Sequence, residues 1–139
     1  MLQLILLLIA LFALMFGAGP FLQDAGKAII ANRVIGSGTE PKYAAIGTGA
    51  GPADSTATAL TTEVETRSGT NAGTRVTTTV TNDTYQVINT VSITTNRAIT
   101  ECAFFDASSA GNMFIASGIS TINLANGDSL QLTGKCKFA

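Results

Sequence analysis

The sequence predicts a mainly β protein: an antiparallel β-sandwich of roughly seven strands, preceded by a long hydrophobic N-terminal α-helix. The helix is predicted from an apolar run over residues 1–22 that carries no charged side chain. The sandwich is predicted because Thr, Ser, Gly, Asn and Ala dominate afterwards, with Val and Ile interleaved. Short runs of β-branched residues also recur between turn signals. We therefore assign residues 1–35 to the helical region and residues 36–139 to the sandwich.

The first 22 residues read MLQLILLLIALFALMFGAGPFL. A helix over this run would be roughly 30 Å long, close to the thickness of a bilayer's hydrocarbon core. A helix that is apolar on all sides must be buried in lipid, in another protein or against copies of itself. We expect self-assembly through its larger apolar side chains, which are Leu4, Ile5, Leu8, Leu11, Phe12 and Met15.

Three interpretations of this run compete. A cleaved secretory signal is disfavoured because the first three residues contain no Lys or Arg. A membrane anchor flanked by Lys27 and Arg33 stays open, so membrane contact through residues 1–22 is one alternative. Burial in the core of a protein assembly is the other. Pro20 is expected to interrupt the helix, because proline lacks an amide donor and clashes with the preceding turn.

After Pro20 the pattern predicts an amphipathic helix that ends at the glycines of residues 36–38. Its apolar face is predicted to hold Phe21, Leu22, Ala25, Ala28, Ile29 and Val34.

The remaining chain supplies the strands. They are predicted over residues 42–48, 75–80, 85–93, 98–106, 113–119 and 130–138, and residues 59–66 form either a short strand or a helical turn. The runs on either side of Asn82-Asp83 are expected to pair as an antiparallel hairpin. Asn89 interrupts the otherwise apolar face of the second run. The last strand alternates most clearly, with Leu130, Leu132, Cys136 and Phe138 on one face.

Composition excludes several functional classes. Only 12% of the 139 residues are charged and the formal net charge is −1, which argues against a nucleic-acid-binding surface. There is no His, so the commonest general base and metal ligand is missing. The glycine-rich stretch at 47–52 is not followed by the Lys of a phosphate-binding loop. We expect no catalytic residues, no cofactor and no metal site.

Carboxylates are the remaining catalytic candidates. Glu63 and Glu65 lie two residues apart, so a strand would place them on one face, as a glycosidase pair requires. Two solvated surface acids are the favoured interpretation. Glu101 lies on an apolar strand between Ile99 and Ala103. It is expected to bind a backbone turn or loop, or to pair with an arginine (Arg97 or Arg75).

Cys102 and Cys136 are the only cysteines. An even count in a protein exposed outside cells favours a disulfide, formed either within one chain or between chains. Two buried small hydrophobic residues, or thiols that crosslink neighbouring subunits, are the alternatives. Two cysteines without histidine are too few ligands for a metal.

A family resemblance extends over residues 24–139. Its matching segments are DAGKAIIANRVIGSGTEPKYAAIGTG at 24–49, TALTTEVETR at 58–67, RVTTTVTNDTYQV at 75–87, RAITECAFFDASSAGNMF at 97–114 and NLANGDSLQL at 123–132. In their order and spacing these resemble small structural proteins of tailed bacteriophages and prophages, of the tail-fibre or virion-associated type. The apolar leader looks like an addition to that pattern, and Cys102 stands where an apolar residue is usual.

The resemblance implies a non-enzymatic component of a virion. From the apolar helix we also expect homo-oligomers, together with contacts to other virion proteins. The leading hypothesis is a tail, fibre or decoration subunit that assembles through its apolar helix. The alternative is a pilin-like subunit of an extracellular filament or cell surface, in which the helix forms the core and the β-domain the coat. A membrane-anchored binding module is the third hypothesis.

Overall fold

The computed structural model describes residues 21–138, which form one helix and eight strands. In chain order these are β1 (Phe21–Leu22), α1 (Asp24–Val34), β2 (Tyr43–Gly47), β3 (Glu63–Ser68), β4 (Thr74–Val76), β5 (Thr84–Ser92), β6 (Arg97–Phe105), β7 (Met113–Leu124) and β8 (Ser129–Lys137).

The strands form two antiparallel sheets, as a β-sandwich requires. The larger has five strands in the order β1-β7-β6-β2-β3, and the smaller has three in the order β4-β5-β8. The prediction of a mainly β fold is therefore confirmed. The predicted long N-terminal helix lies almost entirely in residues 1–20, outside the described part of the chain.

The main core lies between the two sheets. It contains residues from both of them: Ala44, Ile46, Val87, Val91, Ile93, Ile99, Cys102, Phe104, Leu124, Leu130 and Leu132. Strand alternation supplies this core, because every second residue of β5 and β8 points at the larger sheet. Gly134 continues the pattern, since a Cβ there would press on the Phe104 ring.

A second core covers the opposite face of the larger sheet. It consists of Ala45, Leu60, Ala103, Phe105, Met113 and Ala116. Leu60 belongs to the long loop between β2 and β3, so this loop closes the outer face. Residues 101–105 of β6 are all buried, because the strand has a core on each side. Ile99 faces the main core, and a bulge between Ile99 and Glu101 turns Glu101 to the outer face.

The N-terminal part of the described chain differs from the predicted amphipathic helix. Phe21 and Leu22 are extended and pair with Ala116 and Ile115 of β7, so the helix begins only at Asp24. Within α1 only Gly26 and Ile29 are buried, and Val34 is 82% exposed. The predicted apolar face was wrong here because α1 contacts β7 through a narrow stripe near its beginning.

The predicted strand over 75–80 also ends early, at Val76. The backbone amides of Thr78, Thr79 and Val80 turn towards the Asp83 carboxylate instead of a neighbouring strand. At the same end of this sheet Phe138 follows β8 and is 53% exposed, so the apolar alternation of the last strand does not extend to it. Among residues 21–138, no helix is both long and apolar enough to span a bilayer.

Gly26 sets the distance between α1 and β7. A Cβ at this position would overlap the carbonyl oxygen of Phe114 and lie 2.9 Å from Leu22 Cδ1. We expect Gly26→Ala to lower the free energy of unfolding by up to about 2 kcal/mol. Overpacking costs about 1–3 kcal/mol, and the gain in helix propensity, about 1 kcal/mol, offsets only part of it. Urea denaturation measures the difference.

Ala31→Gly is the matched control, because Ala31 lies on the exposed side of the same helix. This variant changes helix propensity without changing packing, and we expect it to lower the free energy of unfolding by about 1 kcal/mol. A Gly26→Ala protein that is more stable than the parent would show that α1 does not need this close approach.

Candidate functional site

The residues predicted to drive assembly, Leu4, Ile5, Leu8, Leu11, Phe12 and Met15, lie outside the described residues. The structure describes the domain side of the junction, from Phe21 onwards. The amide of Gln23 donates to the carbonyl of Phe114 at 3.0 Å, and the amide of Asp24 donates to the carbonyl of Ser55 at 2.8 Å. Gln23 is completely buried. Together with β1, these bonds fix the point at which the apolar run joins the domain.

The extended backbone at this junction has a structural consequence. Gln23 has φ −70° and ψ 156°, which is a strand conformation, and its carbonyl accepts the first helical bond, from the Lys27 amide. Residues 21–23 therefore separate residues 1–20 of the apolar run from α1. The run and α1 cannot form one continuous helix.

Both cysteines are free thiols in the structure. Cys102 lies in the main core, where burial raises the pKa of its thiol to about 12. Cys136 lies on the last strand, half-buried, and burial also raises the pKa of its thiol. Two thiols held in the neutral form are poor nucleophiles. The predicted disulfide is not formed within the chain, and pairing between chains stays a prediction.

Glu63 and Glu65 do not form a carboxylate pair. A bulge in β3 places Glu65 in the left-handed region at φ 62°, which turns its side chain away from that of Glu63. Glu63 binds Arg67 with two hydrogen bonds, of 2.6 and 2.8 Å. The interpretation as two solvated acids was also wrong, because the Glu65 side chain is only 2% exposed.

Arg67 binds a carboxylate, two backbone carbonyls and an aromatic ring. Besides the bidentate bond to Glu63, its Nη1 donates to the carbonyls of Ala107 and Ala110 at 3.0 and 2.7 Å. The guanidinium carbon lies 3.5 Å from the centroid of the Phe105 ring. The side chain is 7% exposed and covers the second core. This arginine thus fastens the β6–β7 loop to β3.

Glu65 joins the two sheets at one end of the sandwich. It accepts hydrogen bonds from the amide and hydroxyl of Thr94, in the β5–β6 connection, and from Nε of Arg97 at 3.1 Å. The Thr94 hydroxyl is the main cause that lowers the pKa of this carboxyl. Arg97, which was a predicted partner of Glu101, pairs here instead.

Glu101 binds backbone, as one of the sequence alternatives predicted. One carboxylate oxygen accepts from the amides of Gly49 and Thr62, at 3.1 and 2.7 Å, and the other from Thr61 at 2.9 Å. The side chain is completely buried. The carboxylate therefore holds both ends of the β2–β3 loop over the outer face. Gly49 must lack a side chain because a Cβ there would contact this carboxylate.

Asp83 organises the β4–β5 loop in the same way. It accepts from the amides of Thr78, Thr79 and Val80 and from the hydroxyls of Thr78 and Thr84. The amide of Val80 is the main cause that lowers the pKa of this carboxyl. The sequence predicts a turn at Asn82-Asp83 but not this role of the Asp83 carboxylate. An acidic residue that follows a threonine-rich run is the signal that could have predicted it.

Asn89, the polar exception on an apolar strand face, is completely buried. Its amide nitrogen donates to the carbonyls of Lys42 and Asn71, and its oxygen accepts from the amide of Asn71. A buried amide is stable only when its polar atoms are paired. Asn89 therefore ties two loops to β5.

Within residues 21–138, no group of three or more His, Cys, Asp or Glu side chains is arranged to hold a metal ion. Comparison with protein-family models, curated proteins and solved structures finds no match. Glu63, Glu65, Glu101 and Asp83 each bind arginine, hydroxyl or backbone donors, and their role in the described domain is to hold loops in place.

The Glu101 clamp can be tested by Glu101→Gln. The glutamine NH2 group would face at least one of the three backbone N–H groups, so a donor would lie against a donor. The charge is also lost, and a hydrogen bond to a charged group contributes about 1.5–3 kcal/mol to stability. We expect the free energy of unfolding to fall by about 2 kcal/mol and the amides of Thr61 and Thr62 to exchange hydrogen faster. Asp54→Asn is the control, since Asp54 is exposed and binds only the nearby Thr56. Unchanged exchange at both amides would contradict the clamp.

The Asp83 loop predicts a pH dependence. The carboxyl has a pKa below its ordinary value of 3.8 in the folded protein. Its stabilisation is therefore present above that value and is lost as the pH falls below it. We expect Asp83→Asn to be less stable than the parent at neutral pH and to lose less stability on acidification. Denaturation at about pH 5 and about pH 2.5 measures this. Equal acid losses in the two proteins would contradict the assignment.

Proposed function

We propose that this chain is a non-enzymatic structural subunit of a bacteriophage virion, as a component of the tail, a fibre or the decoration of the particle. It assembles with copies of itself, and with other virion proteins, through the apolar run at its N-terminus. The observation that carries the proposal is the junction, where an uncharged run is attached to the sandwich through β1 and the buried Gln23.

The apolar run supplies the energy for assembly. Each buried Leu, Ile or Phe contributes about 1.5–3 kcal/mol, so several such residues outweigh the entropic cost of association. The rigid junction supplies the geometry. Because Gln23 and Asp24 are bonded to Phe114 and Ser55, every copy presents its sandwich in the same orientation at the point of attachment. Repeated identical orientation is what a symmetric assembly requires.

The loops of the sandwich suit a surface component. Arg67, Asp83, Asn89 and Glu101 each fix a loop by hydrogen bonds to its backbone. A domain whose loops are fixed in this way keeps its shape without the support of a ligand. The resemblance of residues 24–139 to virion-associated proteins, in the order and spacing of their turn and strand segments, also supports the proposal.

A pilin-like filament subunit is the second candidate, because an apolar run followed by a β-domain is also its layout. In that arrangement the chain would reside in an extracellular filament or on the cell surface. The extended residues 21–23 favour the virion proposal, since they prevent one helix from passing from the core of a filament into the coat.

Removal of residues 1–20 tests the role of the apolar run. This truncation keeps β1, whose pairing with β7 belongs to the fold. We expect a soluble protein with an unchanged circular dichroism spectrum that no longer assembles, measured by analytical ultracentrifugation. A truncated protein that still forms the native assembly would contradict the proposal.

A single charge provides a matched test in the full chain. Leu8→Glu is expected to weaken assembly at least tenfold, because a buried carboxylate must be desolvated. Gln3→Glu adds the same charge at a position that is already polar and is expected to have a smaller effect. Detection of the chain in purified particles supports the virion, whereas detection only in sheared filaments supports the pilin-like candidate. A monomer that floats with lipid vesicles would contradict both.

A further inference from the structure

The described sandwich has four sheet edges, and three of them are protected against pairing with another chain. β1 is two residues long and β4 is three. β3 carries a bulge with Glu65 in the left-handed region, and half of its six residues are charged. Two inner strands extend beyond these short edges. β7 is interrupted by a bulge between Gly118 and Ile122, and β5 is not paired with β4 after Gln86, where Asn71 binds the carbonyl of Ile88. Short, charged or bulged edges are the usual ways in which proteins prevent edge pairing.

β8 is the exception. It runs for nine residues and pairs with β5 in a register without a bulge, from Ser129 opposite Ser92 to Lys137 opposite Thr84. The stretch from Ser129 to Gly134 contains no charge and no proline. No other strand of residues 21–138 pairs with the outer side of β8. Its two charges, Lys135 and Lys137, lie at the C-terminal end of the strand. A long, regular edge that is uncharged over residues 129–134 is the type that binds another strand.

The backbone groups that face outwards can be identified. The amide of Phe138 donates to the carbonyl of Asp83, and the carbonyl of Asp128 accepts from the amide of Ile93. Residues 128 and 138 therefore point their backbone groups at β5. Since backbone direction alternates along a strand, the odd-numbered residues of β8 present an amide and a carbonyl to the outside. They are Ser129, Gln131, Thr133, Lys135 and Lys137.

We propose that the outer edge of β8 pairs with the β8 edge of a second copy of this chain, antiparallel and about a two-fold axis at Thr133. In this register Thr133 faces Thr133 of the second copy, Gln131 faces Lys135, and Ser129 faces Lys137. Every outward amide and carbonyl of the strand then has a partner. The two three-stranded sheets join into one sheet of six strands.

The side chains fit this pairing with itself. Each lysine lies opposite an uncharged polar residue, so no like charges face each other, which would be destabilising. On the inner face, the half-buried Cys136 meets Leu130 of the second copy, so the main cores of the two domains become continuous. A two-fold interface of this kind is closed and does not propagate. It is independent of the apolar run, so the two surfaces together can link one assembly unit to the next.

Opposite charges at the two-fold position test the pairing in the full chain. Thr133→Lys alone places two lysines opposite each other, and Thr133→Glu alone places two glutamates. Each variant is expected to lose β8 pairing, whereas a mixture of the two is expected to restore it. Thr90→Lys and Thr90→Glu are the controls, because Thr90 is exposed on the same sheet face but on β5. The two Thr90 variants are expected to leave pairing through β8 unchanged, both when each is tested alone and when they are mixed.

Crosslinking gives a readout that does not depend on the apolar run. Paired residues of this type have Cα atoms about 5.5 Å apart, within the range that a disulfide spans. In a Cys136→Ser background, Thr133→Cys is expected to form a covalent dimer under mild oxidation, and Thr90→Cys to remain largely uncrosslinked. Absence of the Thr133 dimer, or failure of the mixed charges to restore pairing, overturns the proposal. If removal of residues 1–20 abolishes assembly but the Thr133→Cys crosslink still forms, then the apolar run and the β8 edge are independent interfaces.

Discussion

The burial of β6 on both faces is the constraint on which the rest of the described structure depends. Its main-core side needs the smaller sheet, and its outer side needs a cover that the sheet itself cannot supply. Glu101 lies on that outer side, where a buried carboxylate must find donors. The amides of Gly49, Thr61 and Thr62 supply them. The polar requirement of one residue thus brings the β2–β3 loop, with Leu60, onto the second core.

The same solution recurs around the sandwich. Asp83 gathers the amides of the β4–β5 loop, Asn89 ties two loops to β5, and Arg67 fastens the β6–β7 loop. Few side chains are charged, and several of them bind backbone groups of neighbouring loops. This explains how the domain keeps defined loops in a chain with only 12% charged residues and many Thr, Ser and Gly residues. The defined loops and the rigid junction at Gln23 support the proposal of a subunit that assembles in a fixed orientation.

Apolar alternation at period two predicted β5 and β8, because one face of each strand contacts the main core and the other is more exposed. It could not predict where bulges interrupt that period. The bulge at Glu65 separated two carboxylates that the sequence placed on one face, and the bulge before Glu101 separated it from Ile99. The early end of β4 depends on Asp83, a contact between loop residues that alternation does not encode. Helical spacing has the same limit: it predicted that Val34 lies on the buried face of α1, but it could not predict where the contact with β7 ends. Val34 is exposed in the structure.

We propose that assembly combines three features: an apolar run that favours burial, a junction that fixes its attachment, and a sheet edge that pairs with a second copy. Electron cryo-microscopy of the native assembly tests this combination most directly. The account predicts residues 1–20 in contact with other protein chains at the interior, with sandwiches outside and β8 edges joined at Thr133. An assembly in which residues 1–20 lie in solvent or lipid, away from other chains, would contradict it.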